Sequence, residues 1–392
     1  MTVHLFSLQQ SLTHAGIEGW LLYDYKGHNT FGLSLIGMKD PSMLTRRFFY
    51  WVPKSGNPLK ICHVVDAPYV EHLPGKAILY SSWNELQGAV KSIFHNGWII
   101  MMEFWPTADL PSQAILDATT KEWLNGEGLH ITSSWPIIGE SVAQLTPKQK
   151  KSHLQACTIL NDAFSNTWQW LKEKLLANQE VTEVTLQAFM IAQIQENGGY
   201  FDHLPIVACG PHSASPHHIP KNTPIKSDSL VLIDAWCTTA LNKAPYADFT
   251  QVAFAGKSAP QAMHKIYDIV KSAQRSALTY IQTCLDYHCA VIGCEVDNVC
   301  RTVIAAHGLE RYFGHRTGHN IAFDLHGPGA NLDMFETIDT RPLISQGCYS
   351  IEPGIYIPDT WGIRLECNIL LDSSVSMIIS GEAQENLREL LH

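Results

Sequence analysis

The chain has 392 residues, of which 45% are hydrophobic and 16% charged, with a formal net charge of −10. That length supports two or three domains with full cores, and the composition excludes a disordered chain. The acidic balance argues against a polyanion such as DNA as the partner, although a local basic patch remains compatible with it.

The opening Met1-Thr2-Val3-His4-Leu5 has no basic start and no long apolar core, so no secretory signal is expected there. Residues 5–15 carry a short helical pattern ended by Gly16, and residues 20–23 read as a strand. The chain then alternates. Strands are predicted at 47–52, 60–65, 77–80 and 98–102, and helices at 83–93 and 110–123, which is α/β patterning. The greasiest run, Trp98-Ile99-Ile100-Met101-Met102, is too short to span a bilayer and reads as a buried strand. No glycine loop of the phosphate-cradling kind occurs. Ten cysteines are scattered without a CxxC pair, which predicts reduced thiols used as small core residues, in a cytoplasmic setting.

A boundary is expected near residues 136–147, where Thr146-Pro147 is a strong helix start: threonine caps free amides and proline suits the first helical position. The following helix, to about residue 176, places Leu154, Cys157, Leu160, Phe164, Trp168 and Leu171 at spacings of three and four. Thr182 caps a further helix over 186–194, and helical patterns return at 259–283 and 296–306. Leu230-Val231-Leu232-Ile233 predicts a strand ending in Asp234. Asp248 lies on the return limb before 252–254, as a hairpin would place it. No period of 20–50 residues is visible, which excludes a solenoid.

Five residues draw attention as a set: Asp234, Asp248, His319 in Thr317-Gly318-His319, Glu352 in Glu352-Pro353-Gly354, and Glu366 in Arg364-Leu365-Glu366. Singly, each has an ordinary reading as a turn, cap, surface charge or core histidine. Together, four carboxylates and one imidazole suit manganese, cobalt, iron or zinc rather than a thiolate zinc site. Four carboxylates offset two divalent cations, and two such ions clamp a water, lower its pKa and polarise a carbonyl. Without metals the set would be an unfavourable cluster of like charge. His326 can stabilise an oxyanion, and His217 can contact a substrate amide. Arg364 shares a strand face with Glu366 and can orient a ligand, hold a substrate carboxylate, or simply pair with one of the acids.

The order Asp, Asp, His, Glu, Glu with these motifs resembles the pita-bread metallopeptidases of family M24, which include methionine aminopeptidase, aminopeptidase P and prolidase. The likeness extends to Glu183 after Thr182, the 206–210 run before His217, and Val296-Asp297 with Arg301. It also reaches residues 15–22 and 45–49, similar to the amino-terminal domain of prolidases, aminopeptidase P and creatinase. The resemblance implies a creatinase/prolidase-like domain at 1–140 and a catalytic pita-bread α/β domain at 141–392 with an internal pseudo-two-fold, often in homodimers. It implies two divalent ions, with manganese first and cobalt, zinc or iron as alternatives. Asp234 would bind one ion, Asp248 and Glu366 would bridge both, and His319 and Glu352 would bind the second, with Glu352 also shuttling a proton. His217, His315 and His326 match the family's active-site histidines, and Tyr356 and Arg364 match residues lining the site of proline-specific members.

Departures from the pattern fall at the long 234–248 spacing, at Gln251, at Gly327 after His326, and at Cys367 after Glu366. The expectation is hydrolysis of Xaa-Pro bonds in short peptides, by a dipeptidase of the prolidase type or, alternatively, an aminopeptidase P. A metal-dependent lyase on this scaffold and a non-catalytic peptide-binding module are the competing classes. Retention of all five ligand types disfavours the binding module and a creatinase-like enzyme.

Overall fold

The computed structural model describes residues 5–107, 109–373 and 376–392, so most of the stretch read for a leader lies outside the described residues. The chain divides into two compact units, Met1–Ser141 and Val142–His392.

In the first unit, α1 (Leu5–His14) buries Leu8 and Leu12, and β1 (Gly19–Tyr25) follows. α2 (Thr30–Ile36) is capped by Asn29, whose side chain accepts from the Gly32 amide. Next come β2 (Arg47–Pro53), β3 (Leu59–His63), the single turn α3 (Ala67–Val70), β4 (Lys76–Tyr80), α4 (Trp83–Ile93), β5 (Ile99–Met102), α5 (Ala118–Gly126) and β6 (His130–Ser133). Among the described residues these strands form a sheet in the order β4-β3-β2-β1-β5-β6. Its core includes Leu21, Phe49, Trp51, Ile61 and Ile100.

Three sequence readings change here. The strand expected to 65 stops at His63, leaving Val64 and Val65 exposed in a turn. The helix expected over 110–123 splits into a 3-10 turn at Pro111–Gln113 and α5. The Asp117 carboxylate accepts from the Thr120 amide at 2.8 Å and so starts a new helix mid-pattern. α2 and β6 escaped the pattern because one carries a glycine and the other alternates weakly.

The second unit opens with α6 (Glu140–Ala143), which straddles the division, and α7 (Pro147–Leu176). The Thr146 side chain accepts from the Gln149 amide, and the Gln149 side chain returns the bond, closing a capping box. Of the predicted stripe, Cys157, Leu160, Phe164, Trp168 and Leu171 are buried, while Leu154 faces outward. α8 (Glu183–Glu196) begins one turn earlier than expected. β7 (Ile206–Cys209), β8 (Leu230–Cys237) and β9 (Ala247–Phe254) follow, then α9 (Gln261–Asp286) and α10 (Gly293–Ala305). The remainder is β10 (Asn320–Ile321), β11 (Cys348–Ile351), β12 (Gly354–Ile357), β13 (Trp361–Arg364), β14 (Cys367–Ser373), β15 (Ser376–Ile379) and β16 (Arg388–Glu389). Among the described residues these strands make sheets β16-β9-β8-β7 and β10-β11-β14-β15 and a hairpin β12-β13.

The unit repeats one plan: two helices, then antiparallel strands, twice. In both helix pairs the residue two past the long helix is left-handed, Asn178 at φ 52° and His288 at φ 56°. Both faces of β8 and β9 are buried. Val231, Ile233, Ala235 and Phe249 share a core with α7 and α8, while Leu230, Leu232, Val252 and Phe254 share a core with α9 and the later strands. Asp234 does not close β8 as expected; the strand runs on to Cys237, so Asp234 is an interior strand residue. The cysteines are free, and Cys62, Cys157, Cys209, Cys237, Cys300, Cys348 and Cys367 are buried. No helix among the described residues is long and apolar enough to cross a membrane.

Candidate metal centre

The β8–β9 hairpin sets the first two acids. Asp234 pairs with Thr250 and Trp236 with Asp248, so by the strand period of two all four share one face. His319 enters from the loop before β10. Gly318 is required there, since a Cβ would come within 2.1 Å of the Ser350 carbonyl. The His319 amide donates to Ser350 Oγ at 3.0 Å, and that hydroxyl donates to Glu352 Oε1 at 3.1 Å. Glu352 sits in the break between β11 and β12. Glu366 sits in the break between β13 and β14, its amide donating to the Thr250 carbonyl at 3.1 Å.

These placements bring all five predicted ligands to one cavity of about 580 Å³. Donor atoms of Asp248, His319 and Glu366 lie within 4.8 Å of one another. His319 Nδ1 is 3.1 Å from the Asn320 carbonyl, so it carries the proton. Its Nε2 lone pair then faces Glu352 Oε1 at 3.4 Å and Asp248 Oδ2 at 3.7 Å. Asp248 Oδ1 and Glu366 Oε1 are buried without any hydrogen-bond partner. Two orphaned carboxylate oxygens beside a ring nitrogen with a free lone pair are what divalent cations would satisfy, so the donor set fits the metal pair read from the sequence.

Electrostatics agree. Burial, then the charges of Asp234 and Glu352, push the Asp248 carboxyl well above the usual range; burial, then Asp248, does the same to Glu366. Burial pushes His319 down to about 4 and His326 down to about 3. His217 and His326 line the cavity, with Trp236 and Leu325 as apolar wall, and the rings of His326 and His319 meet edge to face at 4.3 Å.

Arg364 lines the cavity too, but its guanidinium is engaged. Nη2 pairs with Asp234 Oδ2, Nε donates to Thr250 Oγ1 at 2.9 Å, and Nη1 lies 3.3 Å from the Tyr356 hydroxyl. The contact with Asp234 is at once an ion pair with an acid of the set and a means of orienting a candidate ligand, and both of these readings of Arg364 fit it. His315 and Tyr356 do not reach the cavity wall as expected. His315 Nδ1 donates to the Arg316 carbonyl at 2.7 Å, and its Nε2 accepts from Tyr356 at 2.8 Å. They stand behind Arg364, and Tyr356 lines a neighbouring open cavity with Pro216, Tyr312 and Ile357.

The departures sort by position. Gln251 points away from the cavity, its Oε1 accepting from Trp168 Nε1 of α7 at 3.0 Å. Cys367 turns into the core behind Glu366. Gly327 is structural, because its amide donates to the Asn320 carbonyl at 2.7 Å and a Cβ would lie 2.3 Å from Asn320 Oδ1. Sequence reasoning missed Thr250, visible only once the register is known. It also missed a trio formed by Glu183, His212 and His218, whose acid lies 29 and 35 residues before the two histidines.

Residues 151–373 match metallopeptidase family M24. The chain is 29% identical to the uncharacterized peptidase YqhT of Bacillus subtilis over 253 residues, 63% of this chain and 66% of that one. It is 29% identical to a Xaa-Pro dipeptidase of Pyrococcus horikoshii over 221 residues, 55% of this chain and 58% of that one. The match spans between 56% and 66% of the length of the first curated relatives. The crystal structure of dipeptidase PepE from Mycobacterium ulcerans shares the fold, with a TM-score of 0.72 over 98% of this chain and 96% of that one at 20% identity. The matched segment takes in the whole ligand set and more than half of the sequence, and on that ground the chain belongs to metallopeptidase family M24.

Proposed function

We propose that the chain is a metal-dependent peptidase that hydrolyses Xaa-Pro bonds in short peptides, as a dipeptidase of the prolidase type, with aminopeptidase P activity as the alternative. The observation that carries the metal chemistry is the pair of orphaned, buried oxygens on Asp248 and Glu366, two acids whose donor atoms gather with that of His319. Proline lacks an amide proton and constrains its neighbour, so such bonds call for a dedicated site. The proline preference rests on the likeness of this site to that of the family's proline-specific members.

In this reading Asp234 would help to hold one ion, His319 and Glu352 the second, and Asp248 and Glu366 would contribute to both. Bound there, two divalent ions supply a water of lowered pKa and a Lewis acid for the scissile carbonyl. The chain's own groups do the rest. Glu352, fixed through Oε1 by the Ser350 hydroxyl, takes up and returns the proton. His326, kept neutral by burial, donates a hydrogen bond to the developing oxyanion. His217 contacts the substrate amide, and Arg364 holds the Asp234 carboxylate in orientation. Trp236 and Leu325 limit water around the reacting bond.

The test measures metal content, then activity of manganese- or cobalt-loaded protein on Xaa-Pro dipeptides and on Xaa-Pro-Xaa peptides. Cleavage of dipeptides alone supports the dipeptidase; cleavage of longer peptides supports the aminopeptidase. Failure on both with metal bound rejects the reading. Glu352→Ala abolishes turnover and weakens one metal site. His326→Ala lowers turnover by about 10²–10³-fold with metal content intact. The same reading takes manganese as the preferred ion, a homodimer as the assembly and the cytoplasm as the setting; metal competition and sedimentation address the first two.

A further inference from the structure

Glu183, the first residue of α8, is fully buried, and every acceptor position of its carboxylate is engaged. Oε1 accepts from the Cys209 amide at 2.8 Å and from His212 Nδ1 at 2.8 Å. Oε2 accepts from His218 Nε2 at 2.9 Å and from the Lys221 amide at 2.9 Å. The two amides are the two ends of one loop, residues 209–221, and the two imidazoles come from inside it. The imidazole rings stack with centroids 4.4 Å apart. Burial by itself would raise the Glu183 carboxyl, but the donors from His218, Lys221, His212 and Cys209 hold it below the ordinary glutamate value. Its charge also lies at the positive end of α8.

The donor atoms of Glu183, His212 and His218 are close enough to suggest a metal site. Chemistry says otherwise. Four hydrogen bonds leave this carboxylate no lone pair for a cation, whereas Asp248 and Glu366 have oxygens without any partner. What the loop carries is His217, adjacent to His218 and lining the metal cavity. The loop is pinned from the other side by Ser213 Oγ, which accepts from the Gly362 amide of β13 at 2.9 Å.

The second half of the unit repeats the device. Asp297 on α10 is fully buried, and its Oδ1 accepts from the Thr317 amide at 3.1 Å and the Thr317 hydroxyl at 2.6 Å. Its Oδ2 accepts from Arg301 Nε at 2.7 Å and the Met334 amide at 2.8 Å. Thr317 lies between His315 and His319. In each half, then, a saturated carboxylate on the second helix grips the loop that delivers a histidine to the site.

We propose that Glu183, with His212 and His218, is a clasp that positions His217 at the metal cavity, making Glu183 a positioning residue for peptide hydrolysis. The catalytic part of this proposal rests on the peptidase reading above; the mechanical part does not.

Three measurements on the full-length, metal-loaded protein test it. Glu183→Gln exposes one face of the side chain to donors it cannot accept, so hydrogen exchange in 209–221 accelerates while the metal cavity strands stay protected. Metal content stays at the wild-type value. Catalytic efficiency, kcat/KM, falls by about 10–100-fold, but in a His217→Ala background the same change has no further effect. Unchanged exchange in the loop overturns the clasp, and loss of a metal equivalent makes the trio a metal site instead. An equal catalytic loss with and without His217 shows that Glu183 acts by another route. Should Glu183→Gln fail to fold, His212→Leu, which removes one of the four bonds, must give the same coupled pattern at smaller size. If the wild type cleaves no Xaa-Pro peptide, the peptidase reading fails, and exchange and metal content alone decide the clasp.

Discussion

Arg364 and Asp234 form a buried ion pair at the edge of the candidate metal centre, and Thr250 is the hinge between them. The Thr250 hydroxyl accepts from Arg364 Nε and has one proton to give, with Asp234 Oδ1 at 3.0 Å and Glu366 Oε2 at 2.8 Å as the candidates to receive it. Arg364 thus sets a fixed positive charge against Asp234, and the Thr250 hydroxyl links it to Glu366.

Removing one partner of a buried ion pair leaves the other uncompensated, at a cost of about 3–5 kcal/mol. Arg364→Met should unfold at markedly lower urea than the wild type, while Arg364→Lys should fall between, since a point charge replaces a fork. Equal urea midpoints for wild type and Arg364→Met would refute this account.

The folded-state value of the Asp248 carboxyl is raised by burial and by Asp234 and Glu352, and that of Glu366 by burial and Asp248. A raised folded value contributes stability that is present below the unfolded value and lost as pH rises through the folded one. Chelator-treated protein should therefore lose melting temperature as pH climbs toward neutrality. Asp248→Asn should flatten that slope in stripped protein yet remove the gain from added metal. For the wild type, ion at a hundred times its dissociation constant should restore about 2.7 kcal/mol per site. Calorimetry across pH, with and without metal, reads both signs.

Gly327→Ala puts a methyl 2.3 Å from Asn320 Oδ1, an atom already accepting from the Gly329 amide at 2.9 Å. Overpacking of this kind costs about 1–3 kcal/mol. The shift also falls on the neighbour His326, so turnover should drop with metal content preserved. A variant with wild-type melting and wild-type kcat would mean the loop has room that the geometry denies.

In the first unit, the Asp117 carboxyl is held at about 2, its burial outweighed by the Thr119 and Thr120 donors. A depressed value gives stability above the unfolded value of 3.8, lost as pH falls through about 2. Asp117→Ala should cost about 1 kcal/mol at neutral pH, and the gap to wild type should close in acid. A constant gap down to pH 2 would place the stabilisation elsewhere.

What could be read from the sequence was local. Thr146-Pro147 announced α7 because capping is written in adjacent residues, and the spacing of Asp234 and Asp248 announced a hairpin. The five candidate ligands were legible as a set, from their donor types and charge and from their likeness to a family, and the structure gathers them at one cavity. What depended on register or distance was not legible. Asp234 looked like a strand end because Ala235-Trp236-Cys237 gives no alternation, yet those residues are buried on both faces. His315 and Tyr356 looked like substrate contacts, and only their hydrogen bonds show them standing behind Arg364. Glu183 and its histidines lie 29 and 35 residues apart, beyond any pattern a single chain displays.

Asp234 and Asp248 belong to the first half of the second unit, and His319, Glu352 and Glu366 to the second. The halves are stitched at Asp248 itself, whose amide donates to Asn368 Oδ1 at 2.9 Å and whose carbonyl accepts from Asn368 Nδ2 at 2.8 Å. Neither half owns a site. During synthesis the five candidate ligands are not assembled until Glu366 has emerged and β14 has docked against β9, so on the proposed reading a complete site would form only in the finished fold. On that reading, ion binding would favour finished molecules over unfinished ones.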